Sequence, residues 1–358
     1  MNIIAANPGS YPRIGDKPGQ QRLRRALPAE LDLVRQEVVR EVMAEQAKAG
    51  LDVISDGQVR WADPVSHPMG KFAGVSLGGL LRYQDTNTYF RQPVVAGALA
   101  AAAPILADEV RWSVAVSPRP VAVTLLGPLT LSRLSLIRGG TYATPDALMD
   151  ALVPVLADEV ERLAAAGVHA IVIEEPRMCL EPEAFPRLAD AFEVIAARRG
   201  SARLWVFPSF GDAGALWDKL QSMPVDGLVL DLTRGGAAAD ALAAAGSRLA
   251  IMLGLVDARS LKLETAGRLA KAAAALLKKV RAPVAGLVPS AGLEYLPRGR
   301  AYEKCVVLAK ARDLLTGRTA GGKKRSGGKK RPKGKVPRRG ARSFRVRGKS
   351  GDRVRGRR

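Results

Sequence analysis

The sequence predicts a (β/α)8 TIM barrel with an excursion after the second strand and a disordered basic C-terminal tail, and three observations carry that prediction. Eight short apolar runs recur at 2–6, 51–54, 121–126, 170–173, 204–207, 228–230, 249–255 and 285–288, with a helix-forming stretch after nearly every one. The runs are continuous rather than alternating, as suits strands buried on both faces of a parallel sheet. Each run also ends in a polar or Gly/Pro-rich string: GSYPR (9–13), SDGQVR (55–60), GPLT (127–130), EEP (174–176), PSFGD (208–212), DLTR (231–234), VDARS (256–260) and PSAGL (289–293). Eight strands interleaved with helices suit a closed barrel, whose chemistry sits at the carboxyl ends of its strands, where these strings would converge.

The elements between the runs follow from local chemistry. Thr144 is a natural N-cap with Pro145 at the first helical position. Leu148, Leu152, Val155, Leu156, Val160 and Leu163 then form one apolar stripe, and Gly167 suits the C-terminal stop. Pro154 lies inside that stripe and predicts a kink or two shorter helices. A second strong helix is expected over 264–280. Cys305, in YEKCVVLAKARDLL, belongs to a helix packed on the barrel, and two cysteines make no disulfide framework. His169 opens the fourth strand at the bottom face, where a structural role is expected. The segment 61–97 breaks the rhythm and concentrates Trp61, His67, Phe72, Tyr83, Tyr89 and Phe90 in a chain with only 5% aromatics. It reads either as a substrate wall or lid, or as a β-hairpin using its rings for packing.

The net charge of +22 is not a property of the body. Residues 321–358 hold 18 of the 56 Lys/Arg and one acid, Asp352; the other 320 residues carry only +5. The domain reading is therefore a barrel over 1–318 and a Lys/Arg/Gly-rich tail over 319–358. The tail has one aromatic, Phe344, and almost nothing to bury, so disorder is expected. It is either a solvated terminus or a partner for RNA or another polyanion, bound by counterion release. The N-terminus lacks the basic start and apolar core of a signal peptide, and the longest uncharged apolar stretch, 94–107, is too short to span a bilayer. A cytoplasmic protein with no membrane partner is expected.

Taken together, the run endings resemble the catalytic, single-barrel domain of cobalamin-independent methionine synthase over about residues 5–315. GSYPR is similar to that family's opening, LDVISDGQVR to its D-G-E-x-R segment, TNTYFRQPVV to its N-x-Y-x-R-P-V segment and GVHAIVIEEP to its I-D-E-P strand; GPLTLSRLS, VDGLVLDLTR and LVPSAGL resemble its further strand signatures. The resemblance implies methyl transfer to the sulfur of homocysteine from a folate- or corrinoid-type donor, with zinc holding the thiol as thiolate. The positions matching the family's zinc ligands are Phe207, Ser209, Asp231 and Ala291, of which only Asp231 is a ligand type. Zinc is thus the family's cofactor, and none is expected here. A substitute set of His67, Cys179 and Asp231 is the alternative. By resemblance Ser10 holds a substrate carboxylate, Glu174 grips its ammonium group, and Gln58 stands where the family has a second ammonium-binding glutamate. Arg13 and Arg234 would gather anionic groups at the mouth, and Asp231 and Glu175 are the candidate catalytic carboxylates. For Glu174 and Glu175 the competing role is an ion pair with Arg177 or Arg13.

Two other functions stay open. One is a metal-free barrel enzyme of the uroporphyrinogen decarboxylase type, taking a polycarboxylate rather than an amino-acid thiol. The other is a non-catalytic ligand-binding protein with a polyanion-binding tail. If the tail binds polyanions, deleting 321–358 will abolish retention on an RNA column at low salt, and retention of the full chain will fall steeply as salt rises; equal retention of both chains would refute that role.

Overall fold

The computed structural model describes residues 1–12, 26–101 and 104–318; Arg13 and the tail lie outside the described residues. In chain order, β1 (Asn2–Ala5) leads to α1 (Leu31–Lys48), the short α2 (Ser66–Met69), the hairpin β2 (Phe72–Arg82) and β3 (Tyr89–Ala101), and α3 (Ala107–Val116). Next come β4 (Ala122–Leu126), α4 (Pro128–Leu134), the two-residue β5 (Leu136–Ile137) and α5 (Pro145–Ala165). Regular strand–helix alternation follows in β6 (Ala170–Glu174), α6 (Phe185–Ala196), β7 (Arg203–Phe207), α7 (Trp217–Gln221), β8 (Gly227–Asp231) and α8 (Ala237–Ala245). The last elements are β9 (Ala250–Val256), α9 (Ala266–Leu277), β10 (Val284–Pro289) and α10 (Arg298–Thr316).

Seven of these strands form one parallel sheet in the order β1-β10-β9-β8-β7-β6-β4. The remaining apolar run, 51–54, closes it: Val53 bridges Ala6, Ile54 bridges Val121, and both bridges are parallel. Asn7 N donates to Val53 O at 3.2 Å, and Ala122 N donates to Ile54 O at 2.8 Å. All eight runs therefore become staves of a TIM-barrel-like fold. Side-chain alternation sorts each stave into two cores. Val53, Ala122, Val172, Trp205, Phe207, Val229, Met252 and Val288 fill the barrel. Ile171, Ile173, Leu204, Val206, Leu228, Leu230, Ile251 and Leu253 face outward into the layer shared with the helices.

The helix after Thr144 forms as expected at its start, where Thr144 Oγ1 accepts from Ala147 N at 3.1 Å. Of the two outcomes expected at Pro154, division into two shorter helices does not occur: Pro145–Ala165 is one helix. Pro154 sits on its exposed face, where the backbone carbonyl it deprives of a partner can meet water. The excursion is an antiparallel hairpin with Arg82 opposite Tyr89, widened by β5 alongside β3. Cys305 is fully buried.

Trp205, the largest side chain inside the barrel, lies against Gly227 on the next stave. A Cβ on Gly227 would stand 2.2 Å from the indole ring and 2.7 Å from Ala250 O. Gly227→Ala is expected to destabilise the fold by about 1–3 kcal/mol through overpacking. A urea unfolding midpoint equal to that of the parent chain would show that the ring moves aside instead.

Candidate active site at the barrel mouth

The alternation that builds the two cores also separates the adjacent acids of the EEP string. Glu174 continues the inward parity of Ala170 and Val172; Glu175 continues the outward parity of Ile171 and Ile173. Glu175 is wholly buried at the start of α4, where its carboxylate accepts from Leu129 N at 3.0 Å, Thr130 N at 2.9 Å and Thr130 Oγ1 at 2.5 Å. Its carboxylate packs so closely on Gly127 that a Cβ there would lie 2.1 Å from Oε1. Burial pushes the Glu175 carboxyl up to about 7 against the pull of these donors. The structure thus places Glu175 at the start of α4, outside the residues that line the mouth pockets.

Glu174 does face the mouth. Two adjoining pockets open there, sharing Ser10, Gln58, Trp61, Pro64, Tyr83 and Glu294. Glu174, Thr124 and Tyr295 complete the inner pocket; Tyr11, Asp63 and Tyr89 line the outer one. Ser209 Oγ donates to Glu174 Oε1 at 2.6 Å. Burial pushes the Glu174 carboxyl up to about 7; the Ser209 bond opposes the shift, and the charges of Glu294 and Asp231 add to it. Gln58 Nε2 donates to Thr124 O at 3.0 Å. The hydroxyls of Ser10 and Tyr83 are buried without a hydrogen-bond partner, a condition that native structures rarely leave to chance.

Backbone strain gathers at the same place. Among the described residues the non-glycine positions with positive φ are Gln58 (55°), Gln84 (50°) and Phe210 (58°), one from each of three segments around the mouth. The hairpin tip roofs the opening. Tyr83 meets Phe210 edge-on at 5.9 Å, and Phe210 meets Tyr295 at 6.2 Å. Arg234, from the DLTR string, holds Asp85 of the tip at 2.5 Å. Arg259 lies over the Phe210 ring and bonds Thr233 Oγ1 at 3.1 Å, with Asp231 at 3.4 Å.

Four positions match the family's zinc ligands by resemblance. Phe207 packs inside the barrel and Ala291 is buried; neither has a donor. Ser209 donates to Glu174, and the fully enclosed Asp231 accepts from Thr233 N at 2.9 Å and Thr233 Oγ1 at 2.6 Å. The alternative set does not assemble either, since no three His, Cys, Asp or Glu side chains among the described residues gather as a metal site. His67 stacks on Trp61 at 5.3 Å and meets Glu109 at 3.2 Å. The Cys179 thiol is pushed up to about 12 by burial, then by Asp212 and Asp231, and so stays protonated.

Glu294, Tyr295 and Arg259 were not singled out individually in the sequence: Arg259 lies within the VDARS string, and Glu294 and Tyr295 directly follow PSAGL. No helix among the described residues is long and apolar enough to cross a membrane.

Methionine synthase of Sulfolobus acidocaldarius is 26% identical over 84% of this chain and 89% of its own length. A 5-methyltetrahydropteroyltriglutamate–homocysteine methyltransferase of Caulobacter vibrioides is 31% identical over 52% of this chain and 24% of its own. A B12-independent methionine synthase from a Shewanella species, solved in complex with selenomethionine, shares the fold with a TM-score of 0.73 at 18% identity, covering 88% of this chain and 98% of that one. Residues 75–281 match the family described as cobalamin-independent synthase, N-terminal domain, and the chain belongs to that family.

Proposed function

We propose that this barrel is a methionine-synthase-type methyltransferase whose mouth binds the amino-acid end of a methionine- or homocysteine-like ligand. The observation that carries the proposal is Glu174: an inward carboxylate at a strand end, in an enclosed cavity, beside the unpartnered hydroxyl of Ser10. A charge-assisted bond from a ligand ammonium would stabilise the ionised form that burial alone disfavours. Ser10 Oγ is placed to donate to the ligand carboxylate, and Gln58 offers its amide oxygen to the ammonium group. The selenomethionine held by the Shewanella protein is a ligand of this class.

In the family, bound zinc would hold the substrate thiol as thiolate. The side chains at Phe207, Ser209, Asp231 and Ala291 do not fit that ion, so no step is routed through it, and the chain's own residues bind and orient the ligand and shield it from water. The methyl donor is of folate or corrinoid type by family resemblance. The polycarboxylate reading is disfavoured because Glu174 and Glu294 make the inner pocket acidic. A binding protein without turnover would use the same cavity; methyl transfer to homocysteine from either donor class separates the two.

Calorimetric titration with L-methionine is expected to show binding that Glu174→Gln weakens about tenfold or more. Unchanged affinity in the variant would sink the ammonium role. Because ammonium binds the carboxylate form, affinity should also rise as pH increases through about 7.

The same group sets a pH dependence of folding. A carboxyl held above its ordinary 4.5 favours the protonated native state, so its contribution is full below 4.5 and is lost as pH rises through about 7. Glu174→Gln should remove part of that loss and raise stability at pH 8 by roughly 1–3 kcal/mol. Urea denaturation at pH 5 and pH 8 measures it, and parallel profiles for the two chains would contradict the assignment.

A further inference from the structure

We propose that the amino-terminal end of the barrel is a second binding site, in which an apolar shaft between the staves takes the chain of an unbranched aliphatic monocarboxylate and Arg203 holds its head group. The inference does not depend on the amino-acid reading above, because this site opens on the face opposite the mouth.

The shaft follows from side-chain size. Ala122 pairs in register with Ala170, and Ala170 with Arg203, across three neighbouring staves. The two alanines face into the barrel, and Arg203 shares the inward parity of Trp205 and Phe207. Two methyl groups therefore stand side by side in this layer, and Ala6 adds a third on the first stave. The space they leave runs from Ile4 past Ala6 to Pro8, with Trp205 and Met252 in its wall. A strand rises about 3.3 Å per residue, so the shaft is about 13 Å long. Pro8 O accepts from Thr124 Oγ1 at 3.0 Å, and Thr124 belongs to the inner mouth pocket. That bond marks where the shaft ends and the mouth begins. An eight-stave barrel is just wide enough for its side chains to fill or for one small ligand. An apolar cavity within it stays dry and takes apolar ligands.

The open end carries positive charge without a counter-ion. Arg203 N donates to His169 O at 3.2 Å, which sets the two residues on adjacent strand starts, and both line the shaft. Desolvation and then the Arg203 charge push the His169 imidazole down from its usual pKa, so the guanidinium lies near that ring. Among the described residues Arg203 makes no ion pair, and no acid lines the shaft. The acids at the strand starts on this end are already engaged. Asp52 accepts from Ala5 N at 2.9 Å and pairs with Arg312 and with Arg318, the latter at 3.1 Å. Asp226 accepts from Leu204 N at 2.8 Å and pairs with Arg199 at 3.2 Å. Arg119 lines an adjoining hollow that also reaches His169, and its guanidinium has no partner among the described residues.

A guanidinium over a dry apolar shaft is complementary to a molecule with one anionic end and one saturated chain. The carboxylate accepts charge-assisted hydrogen bonds from Arg203, and the methylenes leave water for the shaft. A lipid with two chains is too wide for it.

The test is calorimetric titration of the full chain with straight-chain carboxylates from butyrate to decanoate and with decanol, followed in parallel by tryptophan fluorescence, to which Trp205 in the shaft wall contributes. Affinity is expected to rise about three- to fourfold per methylene until the chain fills the shaft. Decanol should bind about tenfold more weakly than decanoate. Arg203→Gln is expected to lose about tenfold on decanoate and nothing on decanol, and Arg203→Lys to recover part of the loss. Ala170→Val narrows the shaft and should weaken both compounds alike. If Arg203→Gln does not fold, the chain-length series and Ala170→Val carry the test. No decanoate binding below its micelle threshold overturns the site, and affinity independent of chain length overturns the shaft. Parental affinity for decanoate in folded Arg203→Gln overturns the role of Arg203. Displacement of decanoate by saturating L-methionine places the carboxylate at the mouth and overturns the inference, whereas a chain that binds decanoate and not L-methionine refutes the amino-acid reading alone.

Discussion

The barrel depends on a seam two residues wide. Each of the other seven staves pairs along four or more residues with at least one neighbour, but the second stave contributes only Val53 and Ile54 between β1 and β4. A fully buried side chain reinforces the junction. Gln46 Oε1 accepts from Asn7 Nδ2 at 3.0 Å and from Ser55 N at 3.3 Å, while its Nε2 donates to Ser55 O at 2.8 Å. An amide on α1 thus does the work of missing ladder bonds, and the ends of the first and second staves are held in common register. Ser10 and Gln58 lie just past those two ends. Their shared position in the cavity follows from the seam.

Acids in this fold divide by stave parity and by partner. Those facing outward cap helices: Glu175 serves α4, and Glu159 accepts from Ile105, Leu106 and Ala107 N at 2.7–2.8 Å at the start of α3. Asp212 does the same for α8, accepting from Ala237 and Ala238 N at 2.8 Å. Backbone N–H groups at a helix start are fixed partial charges, and a carboxylate there is satisfied with no ligand. Glu174 has one hydroxyl donor instead, and the difference in supply separates a scaffold acid from a binding acid.

Most of the architecture was legible because it is local. Continuous apolar runs, the Thr144–Pro145 start and the Gly167 stop are short-range signals, and each appears where expected. The seam is legible as a run but not as a two-residue stave, since its pairing depends on Gln46 from a distant helix. Pro154 does not divide its helix, because its cost depends on which side of the helix meets water. The site was partly legible: Ser10, Gln58 and Glu174 share one cavity, as the strand-ending argument implies. The opposite directions of Glu174 and Glu175 follow from alternation along β6, which the paired acids alone conceal. Arg234 and Asp85 find each other across 149 positions, a pairing that no local pattern announces.

The hairpin tip joins the barrel on terms unlike those of the floor beneath it. Its anchors are Asp85 with Arg234 and Arg259, and the Asp85 side chain is 57% exposed. Exposed charge pairs weaken as mobile ions screen them, whereas the enclosed aromatic and carboxylate contacts below are shielded from those ions. The roof and the floor of the cavity therefore answer to different properties of the solvent: ionic strength governs how firmly the chamber is shut, and proton activity governs the charge waiting inside.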